Sequence, residues 1–99
     1  MVSKKFLGFR FTEEGEHIVE LQRGATILSV VADHQSSITV HIMIDEFPLL
    51  KGSYTYTFKV LVWSDQPFDS EGYTFLGTVV VKEITFFKGK VYHVFYKKK

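Results

Sequence analysis

The chain has 99 residues, a formal net charge of +1 and no cysteine. This length predicts one domain spanning residues 1–99, which buries roughly 65% of its unfolded surface. A ligand is therefore expected in a groove, a loop cluster or a subunit interface. The near-neutral charge makes no electrostatic case for nucleic acid, and the lack of cysteine excludes disulfides, thiol nucleophiles and thiolate metal sites.

Phe, Tyr, Val, Ile and Thr are abundant, while Ala25 and Ala32 are the only alanines. Such side chains fit the pleated, half-buried surface of a sheet. No window shows helical periodicity. The N-terminal stretch meets Arg10 too soon for a signal segment, and no apolar run approaches a membrane span. The expected location is the cytoplasm, with no membrane partner.

Residues 4–11 predict a first strand, with Leu7, Phe9 and Phe11 on one face and Phe6, Gly8 and Arg10 on the other. Thr12-Glu13-Glu14-Gly15 reads as a turn. Residues 16–21 alternate, His17, Val19 and Leu21 against Glu16, Ile18 and Glu20. Residues 25–45 read as two strands around a polar turn at 34–37. Placing Asp33 opposite Ile38 puts Ile27, Ser29 and Val31 beside Ile44, Ile42 and Val40. Both faces of the first of these strands are apolar, which predicts a central strand covered twice. Residues 54–63 form the next strand, with Tyr54, Tyr56, Phe58, Val60 and Val62 on one face. Residues 64–72 are polar and read as a surface loop. Residues 73–82 predict a strand, with Gly77 marking a bulge or a point of close packing. Residues 83–87 and 90–96 read as a hairpin across Lys88-Gly89, and the basic tail 97–99 is expected to fray. Seven to eight short strands predict an all-β fold, a compact antiparallel β-sandwich or a partly open barrel.

Three segments carry a family resemblance: Glu20-Leu21-Gln22-Arg23-Gly24-Ala25-Thr26-Ile27-Leu28-Ser29-Val30, Phe75-Leu76-Gly77-Thr78-Val79 and Gly89-Lys90-Val91-Tyr92-His93-Val94-Phe95. In order and spacing the chain resembles a family of short proteins from tailed bacteriophages and prophages, a domain of unknown function. The resemblance implies a phage origin and an all-β fold, and brings no catalytic residues. The chain departs from it at His41, where a large aromatic is usual, and at Ser64-Asp65-Gln66-Pro67, where a Gly-containing loop is.

No serine sits in a Gly-x-Ser-x-Gly elbow, and His34, Ser36 and Ser37 read as turn chemistry. The four histidines lack ligand spacing. The loop of Asp65, Asp69 and Glu71 departs from the calcium pattern and reads as solvated. No metal or cofactor is therefore expected. His41 and His93 lie inside strands among apolar neighbours, where a hydrogen-bonded core or interface histidine is the commoner outcome. His93 has the stronger claim to contact a ligand, because it lies in the third segment. Residues 86–97 interleave lysines with aromatics, the composition of a stacking surface for single strands or nucleotides. A buried aromatic face with lysines guarding the edge is the favoured reading of that hairpin.

The candidate ligand-binding residues are His41, Met43, Lys88, Lys90, Tyr92, His93 and Tyr96. Ten phenylalanines, five tyrosines and one tryptophan exceed what a small sandwich encloses, so some rings are expected at a homo-oligomer interface. The functional expectation is a non-catalytic binding protein. It would sequester a host protein or a small anionic or nucleotide signal, and so counter a host defence. A structural accessory of the virion is the alternative, and a small His-dependent hydrolase the second. Nucleic acid is the less favoured partner.

Overall fold

Period-two alternation of apolar and polar residues builds seven strands, and their buried faces meet in one two-layer core. The computed structural model describes residues 3–32, 37–48, 51–64, 66–82 and 89–99. The strands are β1 (Lys4–Phe11), β2 (Gly15–Gln22), β3 (Thr26–Ala32), β4 (Ile38–Asp45), β5 (Ser53–Val62), β6 (Thr74–Lys82) and β7 (Gly89–Lys98). They form two antiparallel sheets, one ordered β1-β4-β3 and the other β2-β5-β7-β6. The fold is an all-β sandwich and not a closed barrel, and no helix occurs among the described residues. Accordingly, none of them belongs to a helix long and apolar enough to cross a membrane.

The core is made of Ile38, Val40, Ile42 and Ile44 from β4, Tyr56, Phe58 and Val60 from β5, and Val94 from β7, closed by Phe11, Leu21, Val79 and Val81. β4 alternates perfectly between buried and half-buried positions along its length. It is the middle strand of its sheet, which gives it neighbours on both sides.

β3 is an edge strand, contrary to the expectation of double cover. Its register also differs from the expected one. Ala32 pairs with Ile38 and Val30 with Val40, and a bulge at Leu28 then brings Ile27 opposite Ile42. The bulge reverses the parity of the strand. Ile27, Val30 and Ala32 therefore pack on the core, while Leu28 and Val31 are left 43% and 41% exposed. An apolar sequence on both faces does not distinguish a covered strand from a bulged edge.

Gly77 fulfils its expected role. A register shift falls between Phe75 and Gly77, and a Cβ at Gly77 would meet Val30 Cγ1 at 2.8 Å. At this point β3 lies against β6.

Two expectations at the C-terminus are corrected. Residues 90–96 were expected to pair with 83–87, but both sides of the stretch from Tyr92 to Tyr96 are taken, by β5 and by β6. Residues 83–87 and Lys88 lie outside the described residues, as do His34, Ser36 and Asp65. The basic tail does not fray as a whole: Lys97 and Lys98 continue the ladder opposite Thr57 and Tyr56. The Lys99 amide donates to the Thr55 carbonyl at 2.8 Å. Aromatic rings hold these lysines, with the Lys97 ammonium 4.5 Å from the Tyr73 ring centre and that of Lys98 4.4 Å from Tyr54.

Candidate functional site

Strand parity divides β7 into two sets of residues. Tyr92, Val94 and Tyr96 face the other sheet and pack in the core. His93, Phe95 and Lys97 therefore face outward. The seven residues singled out from the sequence do not converge. His41 and Met43 are half-buried on the outer face of the β1-β4-β3 sheet. There His41 pairs with Gly8 and Ser29, and Met43 with Phe6 and Thr26. His93 is on the outer face of the opposite sheet, so the two histidines share no groove. Lys90 is exposed near the start of β7, in register with Val81. Lys88 lies outside the described residues.

Around His93 the outer face of the β2-β5-β7-β6 sheet carries an aromatic cluster. Leu61 on β5 and Thr78 on β6 are its register partners. The Thr78 hydroxyl lies 2.8 Å from His93 Nδ1. Whichever way that proton lies, Nε2 is the nitrogen the ring can offer a ligand. The Trp63 ring is centred 5.4 Å from the imidazole, and Phe75 6.4 Å. Phe75 also packs on Phe95 at 5.3 Å. The polar loop after β5 folds back over this face and lays Phe68 on Phe95 at 4.9 Å. Despite these contacts, Trp63 stays 67% exposed and Phe75 55%.

A pocket of about 280 Å³ opens beside the cluster, lined by Glu14, Leu61, Ser64, Gln66, Phe68 and His93 among others. Its wall is set by the loop, where Ser64 Oγ accepts a hydrogen bond from the Gln66 amide at 3.0 Å. The nearby cations are engaged elsewhere. The Lys59 ammonium sits 5.2 Å from the Tyr73 ring centre and 5.8 Å from that of Phe68, and 4.0 Å from Glu16 Oε1. The Tyr73 hydroxyl donates to the same carboxylate at 3.3 Å. The pocket thus presents apolar walls, one imidazole, one amide side chain, one hydroxyl and one acid.

A second void, about 30 Å³, lies at the core edge between Phe11, Ile38, Val81 and Tyr92, room for about one water. Burial, reinforced by Tyr96 and Tyr54, pushes the Tyr56 phenol above its usual pKa. Among the described residues, no cluster of three or more His, Asp or Glu could hold a metal ion.

Sequence reasoning found His93 but missed Trp63, Phe68, Phe75 and Thr78. One signal bore on them. Phe68 is the only aromatic in the polar stretch 64–72, and a lone ring there calls for a surface to rest on. Phe75 reaches the outer face only because of the bulge at Leu76, which strand alternation cannot show.

No curated protein and no solved structure matches the chain. The model of one family, described as a domain of unknown function (DUF7352), matches residues 4–99.

Proposed function

The chain belongs to the DUF7352 family of unknown function, and we propose that it is a non-catalytic protein-binding module. Its binding surface is the outer face of the β2-β5-β7-β6 sheet. The observation that carries this reading is the cluster of Trp63, Phe75, Phe68 and Phe95 gathered around His93, two of its rings more than half exposed. Contiguous exposed apolar surface marks interaction sites, and tryptophan and other aromatics dominate the energetics of protein interfaces.

Size and charge favour a protein over a small anionic signal. The pocket, at about 280 Å³, falls just short of the roughly 300–1,000 Å³ usual for small-molecule sites. It suits one inserted side chain of a larger partner. Glu14 lines it, and Lys59 is held by Glu16 and two rings, so a phosphate finds no ready cation there. His93 is hydrogen-bonded to a hydroxyl, not to the carboxylate a general acid–base pair would use. The resemblance to phage proteins extends the proposal: the partner is a host protein met in the cytoplasm of an infected cell, and its capture blunts a defence.

Retention of host proteins on the immobilised chain tests this. Phe75→Asp should abolish capture of the specific partner, while Phe6→Asp, on the opposite outer face, should leave it intact. Capture unaffected by Phe75→Asp, or no specific capture at all, removes the reading.

A further inference from the structure

The two sheets each leave one edge open on the same side of the sandwich, and the two edges carry opposite charge. Among the described residues β1 pairs only with β4, and β2 only with β5. β1 presents Lys4, Lys5 and Arg10; β2 presents Glu16 and Glu20. The strands lie side by side in different layers. At one end Phe11 stacks on His17 with ring centres 4.5 Å apart. At the other, the Gln22 side chain exchanges two hydrogen bonds with the Asp45 backbone at 2.9 and 3.0 Å, and Asp45 is the register partner of Lys4. β2 therefore runs antiparallel to β1. The inward side of β1 is incompletely covered: Leu7 shares the core-facing parity of Phe9 and Phe11 yet remains 39% exposed.

We infer that a second copy of this chain closes that side in a two-fold dimer, β1 of each copy pairing with β2 of the other. A two-fold axis along the strand direction exchanges the layers and preserves strand direction. Each β1 then meets an antiparallel β2, and each three-stranded sheet continues into the four-stranded sheet of its partner. Pairing like with like would bring two basic edges together, and two acidic ones, which is unfavourable across a ladder. Exchange lays the basic edge beside the acidic one.

The parity of the two strands also selects a register. The stacked positions of Phe11 and His17 fix the level along the axis, and inward residues must meet inward residues. Phe11, Phe9 and Leu7 then face the partner's His17, the partner's Val19 and the partner's Leu21. On the outer side, Arg10 faces the partner's Ile18, between the partner's Glu16 and the partner's Glu20 on the diagonals. Leu7 gains its cover, the free backbone groups of two edges are paired, and the symmetry closes the assembly. The proposed register uses neither His93 nor any ring around it, so this inference and the proposed function stand or fall separately.

The chain has no cysteine, so a designed pair reports cleanly. Arg10 and Ile18 lie on opposite outer faces of one chain and cannot bridge within it. The double variant R10C/I18C should form a disulfide-linked dimer on mild oxidation, and R10C or I18C alone should not. Native mass spectrometry of the unaltered chain should show two copies. Reversing one sign with R10E or E20R should weaken the dimer about tenfold or more, and combining the two should restore it. The inference is overturned by a chain that stays monomeric at tens of micromolar, by cross-linking of R10C alone, or by one copy carrying a foreign peptide on β1.

Discussion

Gly77→Ala tests how the two sheets are held at their other side. The β-carbon it adds would lie 2.8 Å from Val30 Cγ1, about 1 Å inside the optimum separation of two carbons. The gap cannot open cheaply. Val30 has a stiff χ1, and both residues sit in hydrogen-bonded ladders. Overpacking of this kind costs about 1–3 kcal/mol. The glycine has ordinary negative φ, so alanine recovers about 0.5–1 kcal/mol of backbone entropy. The net loss should be about 1 kcal/mol, which for a domain of this size lowers Tm by about 4–8 °C. Val30→Ala removes the opposing methyl. In the Gly77→Ala background it should cost less than in the native chain, giving a coupling of about 1 kcal/mol in the cycle. Urea melts followed by circular dichroism measure all four corners. A neutral or stabilising Gly77→Ala, or strictly additive effects, would refute the close approach of β3 and β6.

Other perturbations separate the core from the surface. Phe58 is fully buried between the sheets and touches Phe11 and Tyr96 through its ring; Phe58→Ala should cost about 3–5 kcal/mol and leave the chain largely unfolded at 37 °C by circular dichroism. Because burial disfavours the Tyr56 phenolate, the folded chain holds that proton at pH values where the unfolded chain releases it. Stability should therefore fall as pH rises above the unfolded value of about 10, and Tyr56→Phe should flatten that alkaline limb in melts between pH 9 and 11. Lys4 and Asp45 form an ion pair whose side chains are partly exposed, so Lys4→Ala should cost no more than about 1 kcal/mol, less at high salt, a difference that salt-dependent melts resolve.

The strands were legible because their alternation is regular. β1 and β4 begin where a polar or turn residue hands over to an apolar period of two, and Gly77 announced both a bulge and a close approach. Where sequence reading failed, a bulge or a pairing choice had intervened. Leu28 is no glycine and nothing in its neighbours marks a bulge, so alternation alone puts the parity of β3 one step off and makes an edge strand look central. At the C-terminus, segments 73–82, 83–87 and 90–96 compete for one partner, and chain proximity favoured the short hairpin. The ladder instead joins β7 to β6 and to β5 from much earlier in the chain. Of the candidate site, His93 was visible through its motif. Its neighbours come from β5, β6 and the loop between them, and strand order alone brings them together.

The bulge at Leu76 connects the seam of the sandwich to its aromatic face. Val79 and Val81 are buried against the other sheet, so an unbroken β6 would turn Phe75 inward with them. The extra residue reverses that parity. Leu76 packs against the core, and Phe75 turns outward, opposite Phe95 and beside His93. The residue that ends the bulge is Gly77, whose missing side chain admits Val30. The same irregularity therefore lets β3 approach β6 on the inside and supplies a ring to the cluster on the outside. Re-aiming a side chain is a recognised use of bulges beside functional sites. Restoring regular alternation would turn that ring inward and take it from the exposed surface. The core gains nothing from leaving Phe75 more than half exposed, which makes that exposure intelligible as a property of the proposed binding face.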